Sequence, residues 1–133
     1  MISVNEVKTI TKYGLEKRNK STEDFCNNIL SQLITDQAKK GGSFLKFGIS
    51  KDTHSFQYRL IVKIDIKTTN LYKIKTTYYY NVPSIDRMQD ILLDAGYAVD
   101  ITTYNNSDSI WTVRWDDDSN RELEGESINE LAY

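Results

Sequence analysis

The chain has 133 residues, with 17 Lys and Arg against 19 Asp and Glu, and a formal net charge of −2. This length fits one domain with a core that needs no metal or disulfide, and the single cysteine, Cys26, excludes an internal disulfide. No stretch has the pattern of a signal peptide or enough consecutive apolar residues to span a bilayer, so we expect a cytosolic protein without a membrane partner.

The charges are unevenly distributed along the chain. Residues 1–82 carry 14 Lys and Arg against 7 Asp and Glu, a net charge of +7, whereas residues 83–133 carry 3 against 12, a net charge of −9. Such asymmetry indicates electrostatic partners, unless the fold mixes the two halves and cancels the difference.

Two helices are predicted before the first strand. Ser3 and Glu6 have the spacing of a capping box, and apolar residues follow at helical intervals, which predicts a short first helix. The polar residues 17–21 are expected to connect it to a second helix over 22–40, capped by Ser21 or Thr22. That second helix has a wide apolar stripe and ends at Gly41-Gly42.

A long β-hairpin over 56–67 and 71–82 is the feature around which we expect the rest of the chain to be organised. Large apolar residues occupy every even position from Phe56 to Ile66, and the alternation resumes at Tyr72. A three-residue loop would pair Lys67 with Leu71, with Asn70 in the left-handed position of that loop.

The remaining segments predict an α+β fold. A strand is expected over 44–49, a helix over 85–95 with Gly96 as its left-handed exit, and a second hairpin from strands over 97–101 and 110–115. We therefore expect an antiparallel sheet of four to five strands with helices packed on one face. Residues 1–115 form the predicted single domain, and residues 116–133 a C-terminal acidic arm.

Three stretches resemble small proteins of tailed bacteriophages. In those proteins one helix ends in Ala-Lys-Lys-Gly or a similar sequence, and a later helix leads into Leu-x-x-x-Gly-Tyr-x-Val and a closing strand with a terminal Trp. Here Ala38 to Gly41 resemble the first feature, and Leu92 to Val99 with Ile110 to Trp115 resemble the second. The resemblance implies a phage accessory or structural protein, located in the host cytoplasm or incorporated into the virion.

No catalytic, cofactor or zinc motif occurs, so we expect no enzyme activity and no cofactor. His54, the only histidine, is expected to be a solvated loop residue. Cys26 lies beside the apolar stripe of the second helix and is expected to be a small buried hydrophobe. The carboxylates after residue 115 lack the spacing of a calcium loop.

Two sets of residues are the candidates for partner binding. One is the outer face of the long hairpin and the other is the acidic arm with its apolar end; together they comprise Arg59, Lys63, Lys67, Lys73, Lys75, Tyr79, Asp116, Asp117, Asp118, Leu131 and Tyr133. For the basic face the alternatives are a solvated surface, a protein partner, and a nucleic acid bound by cations and a stacking tyrosine.

The leading hypothesis is a non-enzymatic phage accessory protein that assembles with itself or with another virion protein. The first alternative is an intracellular inhibitor of a host defence system, whose acidic arm imitates nucleic-acid phosphates. The second is a small nucleotide-binding protein or enzyme. We also predict that the acidic arm, residues 116–133, reaches a neighbouring subunit. Such a contact joins two different surfaces and is therefore heterologous.

Overall fold

The computed structural model describes residues 1–51, 57–67, 73–105 and 107–116. The chain begins with helix α1 (Val4–Phe25), a π-helical turn (Cys26–Leu30) and helix α2 (Ser31–Lys39). Strand β1 (Phe44–Lys51) follows, then β2 (Tyr58–Lys67), β3 (Lys73–Val82) and helix α3 (Ile85–Asp94). Strands β4 (Ala98–Thr103) and β5 (Asp108–Arg114) complete the described elements.

The five strands form one antiparallel sheet in the order β3-β2-β1-β5-β4. Both predicted hairpins are present, and β1 lies between them at the centre of the sheet. The prediction of an α+β fold, with a four- to five-stranded antiparallel sheet and helices on one face, is confirmed. Asn70, His54 and residues 117–133 of the predicted arm lie outside the described residues.

The prediction of two helices joined by a polar connection is wrong, because residues 17–21 are helical and continue α1 directly into the π turn and α2. Nothing in that segment is a helix breaker, and Lys and Arg have good helix propensity although they are polar. Ser3 does cap α1, since its Oγ accepts from the Glu6 N–H at 3.2 Å. Neither Ser21 nor Thr22 caps a helix, since both lie inside α1.

The predicted register of the long hairpin is also wrong, by two residues. Lys67 lies opposite Lys73 rather than Leu71, and Ile66 lies opposite Ile74. A shift of one residue would have exchanged the two faces of the strand, whereas a shift of two leaves every apolar residue on the same face. The alternation therefore determined the faces correctly and could not choose between registers that differ by two.

The hydrophobic core lies between the sheet and the helices. Large apolar side chains from β1, β2, β3 and β5 point to the covered inner face, and the π turn, α2 and α3 pack their apolar stripes on them. Its fully or almost fully buried members include Leu30, Phe47, Leu60, Val62, Val82, Met88, Leu92, Trp111 and Val113.

The opposite, outer face of the sheet has a small apolar centre of its own. Gly48 lies opposite Ile61 on one side and Ile110 on the other, and both isoleucines are buried. A Cβ at residue 48 would lie 3.8 Å from each side chain, so the two close over the glycine. Ile61 interrupts the alternation of β2 for this reason.

Candidate interaction surfaces

The predicted basic face lies on the outer side of β2 and β3. Arg59 and Tyr79 are exposed there, and Lys63 is partly buried. Tyr79 lies opposite Ile61, between the positions of the two cations along β2. In the register, Lys67 faces Lys73 and Lys75 faces Asp65.

Of the predicted acidic candidates, the described part of the chain contains one. Asp116 is exposed and follows Trp115, whose backbone N–H donates to the Ser43 carbonyl at 3.1 Å. The chain therefore leaves the sheet beside the start of β1, just beyond the end of α2. Asp117, Asp118, Leu131 and Tyr133 lie outside the described residues.

One large surface was not predicted from the sequence, and it comprises most of α1. Every residue from Met1 to Ser21 is exposed, so the helix continues well beyond the core. We call the helical residues 4–21 the amino-terminal arm. At 1.5 Å per residue it is about 27 Å long.

The amino-terminal arm carries an uncovered apolar stripe. Four of its side chains, which we call the arm stripe, are between 45% and 70% exposed: Val4, Val7, Ile10 and Leu15. The helical period places them broadly on the side of α1 that becomes buried further along, at Thr22 and Phe25. Single exposed apolar residues are normal on a monomer, but a stripe along one helix face is typical of a binding surface.

The amino-terminal arm is also basic. Five cationic side chains and two glutamates give it a net side-chain charge of +3; the cations are Lys8, Lys12, Lys17, Arg18 and Lys20. Apolar residues flanked by cations favour a partner that offers apolar side chains among carboxylates.

The base of the arm is fixed to the β3–α3 junction by three contacts. Thr22 Oγ1 is fully buried, donates to the Arg18 carbonyl at 2.9 Å and accepts from the Ser84 N–H at 3.1 Å. Glu23 Oε1 accepts from Arg87 Nη2 at 2.7 Å, and the rings of Phe25 and Tyr80 lie 6.2 Å apart. The direction in which the arm leaves the domain is therefore set by packing.

Part of the signal for this arm was present in the sequence. The apolar residues of segment 4–15 recur at helical intervals, but that period does not show whether another element covers them. The absence of Pro between residues 4 and 39 also indicated one continuous helix.

Cys26 is buried in the core cluster, as predicted. Burial is the main cause that raises the pKa of its thiol from 9.0 to about 11; the Arg87 guanidinium opposes this shift and the Glu23 carboxylate adds to it. The thiol therefore stays protonated, and poorly nucleophilic, at neutral pH.

This shift predicts a pH dependence of stability. Between pH 9 and 11 the folded protein keeps a proton that the unfolded chain releases, so the contribution of Cys26 is full below pH 9 and falls as pH rises through this window. The slope is at most about 1.4 kcal/mol per pH unit. Denaturant unfolding of the wild type and of Cys26→Ala at pH 8.5, 9.5 and 10.5 measures it. The difference in unfolding free energy between the wild type and Cys26→Ala should shrink as pH rises. A constant difference would contradict the raised pKa of the Cys26 thiol.

The two edge strands of the sheet, β3 and β4, differ in their charged residues. The β3 edge carries Lys73 and Lys75, whereas β4 contains no Lys, Arg or Pro. The one charged residue of β4, Asp100, is in an ion pair with Arg114 of β5, with Oδ2 and Nη2 2.7 Å apart. Most of β4 is exposed, and its neighbour Tyr104 is exposed as well.

Comparison with protein families, with curated proteins and with solved structures found no match to this chain. Among the described residues, no helix is long and apolar enough to cross a membrane. In the same part of the chain, no group of three or more His, Cys, Asp or Glu side chains is arranged to hold a metal ion.

Proposed function

We propose that this chain is a non-enzymatic assembly protein, and that its amino-terminal arm binds the acidic segment 117–133 of a neighbouring copy. The arm stripe is the observation that carries the proposal, because four apolar side chains exposed along one face of a helix become favourable only when a partner covers them. Burying a side chain of this size contributes about 1.5 to 3 kcal/mol.

Charge favours an acidic partner. Segment 117–133 contains six carboxylates and one arginine, with Leu123, Ile128, Leu131 and Tyr133 among them. Exposed ion pairs contribute only about 0 to 1 kcal/mol each, so the charges orient the segment while its apolar residues supply the burial. Two amino-terminal arms, each with a net charge of +3, would repel each other.

Distance favours a neighbouring copy over the same chain. α1, the π turn and α2 contain 22, 5 and 9 residues, which places Val4 about 54 Å from the end of α2. Asp116 leaves the sheet at that far end, and even Leu15 is about 36 Å away. A fully extended chain needs about 11 residues to span 36 Å, which leaves about six to bind. A neighbouring copy has no such limit.

A contact between two different surfaces of one chain is heterologous, and it builds a closed ring or an open array. This is how the protein would act as a phage accessory protein, and the phage part of the proposal rests on the resemblance of residues 92–115. Placement of the gene among capsid and tail genes would support it, whereas placement among early genes would favour the inhibitor of a host system.

Light scattering on purified protein tests the proposal. Truncation after Trp115 and the double variant Val7→Gln/Ile10→Gln should each lower the oligomeric state, because each removes one side of the contact. Asn5→Gln/Thr9→Gln, on the other side of the same helix, is the matched control and should leave it unchanged. Raising the salt concentration should weaken assembly less than either change.

Mixing the truncated protein with the Val7→Gln/Ile10→Gln variant tests whether the contact forms between two copies of the chain. The truncated protein retains an intact arm and the Val7→Gln/Ile10→Gln protein retains an intact acidic segment, so the mixture should form one contact that neither forms alone. Unchanged oligomeric states in both variants would exclude the proposal, and failure of the mixture to associate would exclude the contact between copies.

A further inference from the structure

We propose that two copies of the chain also pair edge to edge through β4, in antiparallel orientation, and so join their sheets into one of ten strands. This interface is independent of the amino-terminal arm. It uses the backbone of residues 98–104, and the partner is a second copy related by a two-fold axis.

The two edges of the sheet differ in the residues that discourage pairing. Native sheets protect an exposed edge with Lys, Pro or bulges, which discourage pairing with another strand. β3 has lysines at two positions along its edge, and β4 has none. β4 is rich in residues with high strand propensity, including Val99, Ile101, Thr102 and Thr103.

The one charge on β4 already has an ion-pair partner within the domain. Asp100 would normally discourage pairing, yet it lies 2.7 Å from Arg114 on the neighbouring strand. The side chain of Arg114 is 15% exposed and that of Asp100 is 47% exposed, so the guanidinium is largely shielded from water while the carboxylate stays partly solvated. The edge therefore presents no unpaired charge among the residues of β4.

The β4 strand is complementary to itself in one register. With Ile101 on the two-fold axis, Ile101 faces its copy, Val99 faces Thr103 and Asp100 faces Thr102. Antiparallel pairing about a residue keeps every side chain on its own face of the sheet. Ile101 is 38% exposed and would be covered by its copy.

Neighbouring registers fit less well. Centring the pair on Asp100 would place two carboxylates directly opposite each other, which is unfavourable. Centring it on Thr102 would leave Ala98 and Val99 without partners. The register centred on Ile101 pairs all of 98–104, so Tyr104 lies opposite Ala98 of the second copy.

The same geometry limits the assembly. A two-fold contact uses the β4 edge of both copies, and the free edges of the joined sheet are then the two β3 strands with their lysines. The contact is isologous and closes at a dimer. The heterologous contact between the amino-terminal arm and segment 117–133 of a neighbouring copy would then connect such dimers.

The test uses the full chain with Val7→Gln/Ile10→Gln, so that the arm contact is absent. Hydrogen exchange of the β4 amides and light scattering are measured over a range of protein concentrations. We expect a dimer, and β4 amides whose protection increases with concentration. Ile101→Lys in the same background should raise the dissociation constant at least about tenfold and remove that protection, because two lysines then meet on the axis.

Leu93→Lys is the matched control, since it places a lysine on an exposed apolar position outside β4, in α3, and should change neither measurement. The concentration dependence in the background protein needs no edge variant, so the test holds even if Ile101→Lys does not fold.

A monomer at every concentration would overturn the proposal. Protection of β4 that does not depend on concentration would overturn it too, because a segment of the same chain would then cover the edge. Neither result bears on the amino-terminal arm.

Discussion

Trp111→Ala is expected to lower the free energy of unfolding by about 3 to 5 kcal/mol. The side chain is almost fully buried at the centre of the sheet, its ring stacks on Phe47 with centroids 6.0 Å apart, and its Nε1–H donates to Ser109 Oγ at 3.1 Å. Alanine would leave a cavity in the core, on the inner face of β1 and β5, that the surrounding side chains cannot fill. Denaturant unfolding followed by far-ultraviolet circular dichroism measures the loss.

The chain contains its own control for this substitution. Trp115, the only other tryptophan, lies at the end of the sheet, is partly buried and meets Tyr97 edge to face at 6.4 Å. Trp115→Ala removes the same atoms from a site that water already reaches, so it should cost no more than about half as much. Equal losses at the two positions would show that the centre of the core has been placed wrongly.

Thr22→Val should destabilise the protein by about 1 to 3 kcal/mol, although it removes only one hydroxyl and keeps the shape of the side chain. The buried Oγ1 is the acceptor for the Ser84 N–H, and valine leaves that donor without this partner. The same change loosens the base of the amino-terminal arm. Hydrogen exchange at Ser84 should therefore accelerate along with the loss of unfolding free energy.

Thr11→Val isolates the effect of burial. Thr11 Oγ1 donates to the carbonyl four residues earlier at 2.9 Å, just as Thr22 does, but it is exposed and lies in the arm. The substitution should change the free energy of unfolding by less than about 0.5 kcal/mol, as is usual for surface positions. A loss at Thr11 as large as that at Thr22 would mean that intrahelical bonding, and not the contact with Ser84, stabilises this junction.

The strands and helix ends were predictable because their signals are local. Alternation of apolar residues assigned the faces of the long hairpin, and the capping-box spacing located the start of α1, where Ser3 accepts a backbone N–H group. Ser84 accepts a backbone N–H group in the same way at the start of α3. Gly41 and Gly96 both have positive φ, 84° and 97°, at the helix exits where they were expected.

The basic face was also predicted from a local pattern. Arg59, Lys63 and Tyr79 do lie on one face of the β2–β3 pair, since a strand period of two requires it. Sequence could not show that the amino-terminal arm, a larger and more apolar surface, stays uncovered, because coverage depends on which helices the sheet has room to bind.

What the sequence by itself determined is the set of elements, their faces and most of their ends. It also restricted the hairpin to registers that differ by two residues, because the side-chain period is two. The tertiary structure alone decided among those registers, placed β1 between the two hairpins, and joined α1 to α2 through residues 17–21. These choices depend on contacts between residues far apart in the chain, such as Gly48 with Ile61 and Ile110, or Thr22 with Ser84. A pattern that repeats within a few residues carries no information about such pairs.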